Sequence, residues 1–294
     1  MPIKFRGSFL QLKNLILILF ISLSFKTVKA QVVWENPNNP AYEFLARQAQ
    51  KGNIEFDDFQ APLSRREIAA HLDFLRDSVK TLTPTEEKEL LFYQKEYSEF
   101  NSAIADSTTF LKKDPAGRLR FLSIEKNGFL LRGDPSITLE TVQGTNTGLF
   151  KKGNGLKFWG HAGKNLSFQA YFQDITETGD GIDTLRTFTS QPGVVRTQLA
   201  TSHGVLNYSD LRGNVTYSWS NGSLSLGKDQ LLWGYGENGR IVLSDKAPAY
   251  PFIRLDYQPL KWLKFNYSHA WLQSGIIDSA ATYNKGNTVF GPYR

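Results

Sequence analysis

Apolar positions recur at two different spacings along the chain, and the change falls near Arg118. From Ala41 to about Ile104 the spacing is helical. Ser64-Arg65-Arg66-Glu67 has the residues of a capping box, in which the hydroxyl accepts from the amide three positions on and the glutamate reaches back. Ile68, Leu72, Leu75 and Val79 then share one helical face. Thr83-Pro84-Thr85-Glu86 repeats the start signal with proline at the first helical position, and Leu90, Tyr93 and Tyr97 follow it. A third, shorter helix from Tyr42 to Gln48 completes a small bundle, read either as a self-packed unit or as a plug or docking element.

After Arg118 the period becomes two. Leu166 to Gln173 places small or apolar residues at even positions and mostly polar ones at odd positions. Val215, Tyr217 and Trp219 alternate with Asn214, Thr216 and Ser218; Leu263, Phe265, Tyr267, His269 and Trp271 alternate with Lys264, Asn266, Ser268 and Ala270. The last run is long enough for a tilted strand to cross a bilayer. Short turns are expected at Lys126-Asn127-Gly128, Gly163-Lys164-Asn165, Asn221-Gly222 and Gln258-Pro259-Leu260-Lys261, with Asn-Gly suiting a type I′ turn. Long loops are expected near 144–154, 178–200, 234–250 and 273–286. Short turns at one end and long loops at the other are the habit of outer-membrane barrels. Trp159, Trp219, Trp233, Tyr250, Tyr257, Trp262 and Trp271 lie near expected strand ends, where indole and phenol rings favour the headgroup boundary. One strand face is rich in Ser, Thr, Asn, Gln and Lys, unlike the denser apolar core expected of a soluble sandwich.

The N-terminus adds a location. Lys4, Arg6 and Lys13 precede an apolar run from Leu15 to Phe25, then Val28-Lys29-Ala30 before Gln31. This reads as a signal peptide cut after Ala30, the run being shorter than the roughly 20 residues of a spanning helix. Those first residues hold five of the 34 basic side chains and no acidic ones, leaving 29 basic against 28 acidic. The sequence pI of 9.3 is therefore largely a property of the leader, and a near-neutral mature chain without a basic cluster argues against nucleic acid as a partner. The absence of cysteine excludes disulfides, thiolate metal sites and lipidation through cysteine.

Several motifs carry little chemistry. Gly234-Tyr235-Gly236-Glu237-Asn238-Gly239 has dinucleotide-binding spacing, but Ile241-Val242-Leu243-Ser244-Asp245, Pro248 and Pro251 follow where a phosphate-holding helix is required. No two of His71, His161, His203 and His269 stand at metal-ligand spacing, and His71 is expected on a solvated helix face. Ser268-His269 suggests a lipase pair, yet adjacent strand residues point to opposite faces. Five Asn-X-Ser/Thr triplets, beginning at Asn165, Asn207, Asn214, Asn221 and Asn266, follow from polar alternation alone. No catalytic residue, metal or cofactor is expected.

The signal peptide, Tyr42-Glu43-Phe44-Leu45, Leu63-Ser64-Arg65-Arg66, Trp233-Gly234-Tyr235-Gly236 and Leu243-Ser244-Asp245-Lys246-Ala247-Pro248 together resemble the capsule assembly proteins of the Wzi family in their Bacteroidetes-type form. The resemblance runs over most of the mature chain and is most distinctive from Trp233 to Arg254. It implies an outer-membrane barrel of about eighteen strands with a helical bundle near its periplasmic end. It also implies a lectin-like anchor for capsular polysaccharide, with outer-membrane lipid and capsule export machinery as further partners and no reaction or cofactor. The alternation yields about eight strands and the start of a ninth near 287–294, about half that number, and Gly291-Pro292-Tyr293-Arg294 lacks a terminal aromatic. The sequence therefore reads as an N-terminal portion of such a barrel.

The expected organisation is a signal peptide over 1–30, a helical region over 31–117 and barrel strands over 118–294. The class is mainly β, a transmembrane antiparallel outer-membrane β-barrel, incomplete as it stands, preceded by helices. The expected function is non-enzymatic binding of capsular or other surface polysaccharide at the cell surface. Sugars are held by aromatic faces and by Asp, Asn and Arg side chains, which points to Tyr235, Glu237, Asn238, Arg240 and Asp245 as glycan contacts. A porin or substrate-specific channel accounts for the same polar alternation; an outer-membrane hydrolase or a soluble periplasmic β-protein accounts for less of it.

Overall fold

The computed structural model describes residues 31–79, 81–100, 106–145, 147–182, 194, 204–234, 236, 240, 242–243, 247–260 and 262–272. The expected leader, most of the loops expected at 178–200 and 273–286 and the ninth strand expected near 287–294 lie outside them. Three helices form first: α1 (Pro40–Gln50), α2 (Arg65–Ser78) and α3 (Pro84–Glu96). Both expected capping boxes are present, Ser64 with Glu67 and Thr83 with Glu86. Phe44, Leu45, Ile68, Leu72, Leu75, Leu90 and Tyr97 are buried in one apolar core, and Val79 packs at its margin. A two-residue strand, β1 (Gln60–Ala61), precedes α2.

The chain then builds one antiparallel sheet from β2 (Ser107–Lys113), β3 (Leu119–Lys126), β4 (Phe129–Gln143), β5 (Gly148–Ala162), β6 (Leu166–Thr178), β7 (Val205–Trp219), β8 (Gly222–Asp229), β10 (Tyr250–Leu260) and β11 (Leu263–Ala270). A short β9 (Leu232–Trp233) pairs with β1 instead. The order is β11-β10-β8-β7-β6-β5-β4-β3-β2, a meander in which each sheet strand pairs with the next one along the chain. Among the described residues β2 and β11 each pair on one side only, so the sheet is open.

Eight of its strands begin after Arg118, as the alternation requires, but β2 begins at Ser107, inside the span read as helical. Its sequence Ser-Thr-Thr-Phe-Leu-Lys-Lys lacks a sustained alternation, because as an edge strand it has little to bury. Turns are present at 126–128, where Asn127 (φ 52°) and Gly128 (φ 78°) have the left-handed conformations of type I′, and at 163–165, but the turn expected at Asn221-Gly222 sits one residue earlier, at Ser220-Asn221 with Gly222 already in β8, and residues 258–260, expected to turn, belong to β10. The loop expected at 144–154 is a correction: β5 already begins at Gly148, 148–154 pair with β4, and 150–154 pair with β6 as well.

Cross-strand partners share a face, so the register separates the two sides of the sheet. On the outer side Leu166, Tyr217, Leu224, Leu255 and Tyr267 form one row, and Phe168, Val215, Leu226, Ile253 and His269 the next. Phe172, Leu211, Val215, Tyr217, Leu224, Leu226, Phe265 and Tyr267 are all exposed there. On the inner side Ser167, Thr216, Ser225 and Arg254 form a row, every member of it buried. The usual arrangement is inverted: the polar face is covered and the apolar face is bare. The aromatic residues expected near strand ends divide between the two faces. Trp262 and Trp271 are 79% and 48% exposed, but Trp159 and Tyr250 are buried, because their positions put them on the inner face.

Candidate functional site

What covers the polar face is the helical unit with the segment before it. Arg65, at the first position of α2, is 1% exposed and donates to Glu35, Glu99 and the Glu96 carbonyl. Its guanidinium lies 4.3 Å from the Tyr97 ring centre and 4.9 Å from that of Trp159 on β5. From the sheet, Arg120 reaches Asp114, Asp134 and Glu96, and Arg132 reaches Glu99 at 3.0 Å. Lys157 on β5 bonds Glu35 at 3.0 Å.

Burial raises the affinity of Glu35 for a proton, but Lys157 and Arg65 outweigh it and hold its pKa below the ordinary value. The same contest at Glu96, with Arg65, Arg120 and Lys157 opposing burial, brings it down to about 2. Glu99 is likewise lowered by Arg65 and Arg132 against its own desolvation. Buried charges persist only when paired and hydrogen-bonded, and this network satisfies that condition across the whole helix–sheet seam.

Beside the seam lies a cleft of about 240 Å3, closed on one side by Trp34, Glu35, Asn36 and Asn38 and on the other by the inner faces of β5 to β8. Trp34 is fixed by its indole N–H, which donates to Ser225 at 2.8 Å, and by Arg254, 4.0 Å from its ring centre. Arg212 and Asp210, two apart on β7, form a bidentate pair with N–O distances of 2.6 to 3.0 Å, and Arg212 also donates to Asn36 at 3.3 Å. Asp229, at the end of β8, accepts from Gln169 at 3.1 Å and from the Gln230 amide at 2.8 Å. Tyr171 stands over the floor, its hydroxyl directed away toward Gln173. The lining thus combines two aromatic rings, fixed carboxylates, amides and a guanidinium. These are the groups that hold a polyhydroxylated ring.

Of the residues singled out from the sequence, Tyr235, Glu237, Asn238 and Asp245 lie outside the described residues. Arg240 is described and points inward: it donates to the Gly234 carbonyl and, at 3.4 Å, to that of Asp58, with the Asp58 carboxylate 3.8 Å away. It fastens its loop to the segment before β1, where it helps line a second cavity of about 410 Å3. Gly234 (φ 103°) and Gly236 (φ 144°) adopt backbone conformations that other residues rarely take. Leu243 bridges back to Trp233, so the described residues after this glycine motif form no helix. His71 departs from the solvated face expected of it. Its ring meets Phe56 edge-on at 5.4 Å, and burial lowers its pKa. Ser268 donates to Asn266 on its own face, while His269 packs on Trp271.

The cleft residues went unread in the sequence, although a signal existed. The alternation of β7 continues backward from Ser218 through Thr216 and Asn214 to Arg212, Asp210 and Tyr208, which places a charged pair in mid-strand on the inner face. Compared with models of known protein families, with curated proteins and with solved structures, the chain matches none.

Proposed function

We propose that the chain forms wall and plug of an outer-membrane β-barrel that binds capsular or other surface polysaccharide and helps hold it at the cell surface. The observation that carries this reading is the inverted sheet. Trp219, Tyr217, Val215, Gly213 and Leu211 mark five successive outer rows on β7. At about 3.3 Å per residue they cover about 26 Å of strand, or about 20 Å along the normal at a tilt of about 40°. The next row, Asn154, Asp174 and Ser209, is polar. Lys228 interrupts the apolar rows, and its stem is long enough to carry the ammonium toward the polar rim. Water is a poor neighbour for such a face and hydrocarbon a good one.

A barrel needs every edge paired, so on this reading β2 and β11 are joined to further strands. On this reading the polar face covered by the helical unit is the lumen side, and the helices are a plug. The polysaccharide assignment rests on the family resemblance and on the composition of the cleft. Tyr235, Glu237, Asn238 and Asp245 are proposed as contacts on an extracellular loop, with Arg240 holding that loop in place.

The test is deletion in the source strain, with fractionation of the wild type. Recovery in the outer-membrane fraction, and capsule shed into the medium on deletion, are the expected results. A protein released by washing, or capsule retained without it, refutes the proposal. The polar inner face also favours a channel; the helices packed on it oppose one. Single-channel conductance in planar bilayers separates the two, and little current is expected.

A further inference from the structure

We propose that the cleft between residues 34–38 and the inner face of β5 to β8 is a subsite for one uncharged sugar ring, so that glycan is gripped inside the wall as well as by outer loops. This rests on the polysaccharide reading above and adds a place and a class of sugar. The cleft has a volume of about 240 Å3. That is room for a single ring of the hexose class and not for a chain folded on itself.

The charge balance selects the class. Lys157 is matched to Glu35 and Arg212 to Asp210, so both cations are already neutralised. Asp229 is left as a third carboxylate, 3% exposed and bonded only to amide donors at Gln169, Asn214 and Gln230. A uronate or phosphorylated sugar entering here would find each cation of the lining already paired with a carboxylate. A bare metal ion would find one carboxylate already occupied by three donors. Sugar hydroxyls both donate and accept. They can donate hydrogen bonds to the carboxylates while accepting from the amides of Gln169 and Asn36. The Tyr171 ring offers the apolar face on which the C–H side of a sugar lies, and its hydroxyl is already engaged elsewhere, so the ring is held in place before any ligand arrives.

The experiment uses the whole protein in detergent, titrated with glucose, galactose, mannose, N-acetylglucosamine and, as the anionic probe, glucuronate. Binding is followed by intrinsic fluorescence and calorimetry. At least one neutral sugar is expected to bind at millimolar concentration and glucuronate at least about tenfold more weakly. Tyr171→Ala is expected to weaken the neutral sugar about tenfold, and Tyr171→Phe to leave it unchanged, which separates lost stacking from misfolding. Asn38→Trp, on the exposed rim, should block entry with the fold intact. Glucuronate preference, no response to any neutral sugar, or equal affinity in Asn38→Trp overturns the subsite. If the strain's own polysaccharide still binds the wild type and Asn38→Trp alike, the subsite fails and the function stands. If that polysaccharide does not bind at all, the proposed function fails as well.

Discussion

Replacing Arg65 by Met keeps most of the side-chain volume and removes the charge on which the helix–sheet seam converges. Glu35 and Glu99, each almost completely buried, would then face the seam without that partner. Breaking a buried ion pair from one side costs about 3–5 kcal/mol, because the remaining charge keeps its desolvation penalty. With a urea slope of about 2 kcal/mol/M, the unfolding midpoint of the helical unit should fall by about 2 M. The measurement is a urea titration in detergent, followed through Trp159, whose ring is stacked against this cluster, and through protease cleavage between α2 and α3. Arg76→Met is the control. Arg76 also pairs with two carboxylates, Asp73 and Asp77, but on the solvated surface, so its loss should leave the midpoint nearly unchanged. The triple variant Arg65→Met, Glu35→Gln, Glu99→Gln removes the stranded carboxylates but takes partners from Lys157 and Arg132, so it should recover only part of the loss. If Arg65→Met unfolds at the same urea concentration as Arg76→Met, the network does not hold the helices to the sheet.

Acid should loosen the same seam. Glu96, and with it Glu35 and Glu99, has a folded pKa below its unfolded value near 4.5, so its stabilisation is complete above that value and disappears as pH falls through the folded one. Protease access to the helices is expected to rise between about pH 4.5 and 2; a rise already complete above pH 5 would point to other groups. On the outer face, Leu226→Arg should cost about 2–4 kcal/mol of folding in lipid vesicles, where a water-exposed face would register under about 0.5. At Gly160 an added Cβ would come within 1.9 Å of the Leu130 carbonyl, so Gly160→Ala should destabilise by at least about 1–3 kcal/mol. Gly148→Ala meets open space and should fold normally in the same thermal-melt comparison.

The two periods were readable because each is set by a local rule. A capping box needs only four residues in order, as at Ser64 and Thr83, and alternation needs only a strand with unlike faces, as along β7. The edge of the sheet was not readable in this way, since β2 faces too little on either side to be forced into alternation. The loop expected at 144–154 failed for a related reason. Lys151, Lys152 and Asn154 look like loop residues, yet Lys151 is buried on the inner side and Lys152 and Asn154 form polar outer rows with Thr176 and Asp174. The candidate site was legible in type, as aromatic rings with carboxylate, amide and guanidinium, but not in place. The sequence pattern favoured a glycine-rich loop, whereas the cleft draws its lining from residues separated by up to 195 positions, Trp34 and Asp229 among them. Only the pairing of strands and the packing of the 34–38 segment on their inner face bring such residues together.

The polarity of the seam has a physical consequence for how such a chain reaches its final arrangement. If α2 and the segment before it were held to the sheet by apolar contacts, both faces of the sheet would be greasy and the helices could pack on either. With Arg65, Arg120, Arg132 and their carboxylates buried on one side, and Phe172, Leu211, Leu224 and Leu226 bare on the other, the two faces differ in kind. A misplaced helical unit would strand several charges against hydrocarbon-like surface, at several kcal/mol each. The network's net contribution to stability can therefore be small while its contribution to choosing a face is large. An apolar replacement of Arg65, Glu35 and Glu99 together with their partners Arg132 and Lys157 is the case that separates the two quantities: it should keep much of the stability and lose the preference for one face, read by crosslinking α2 to inner-face and outer-face positions of β7.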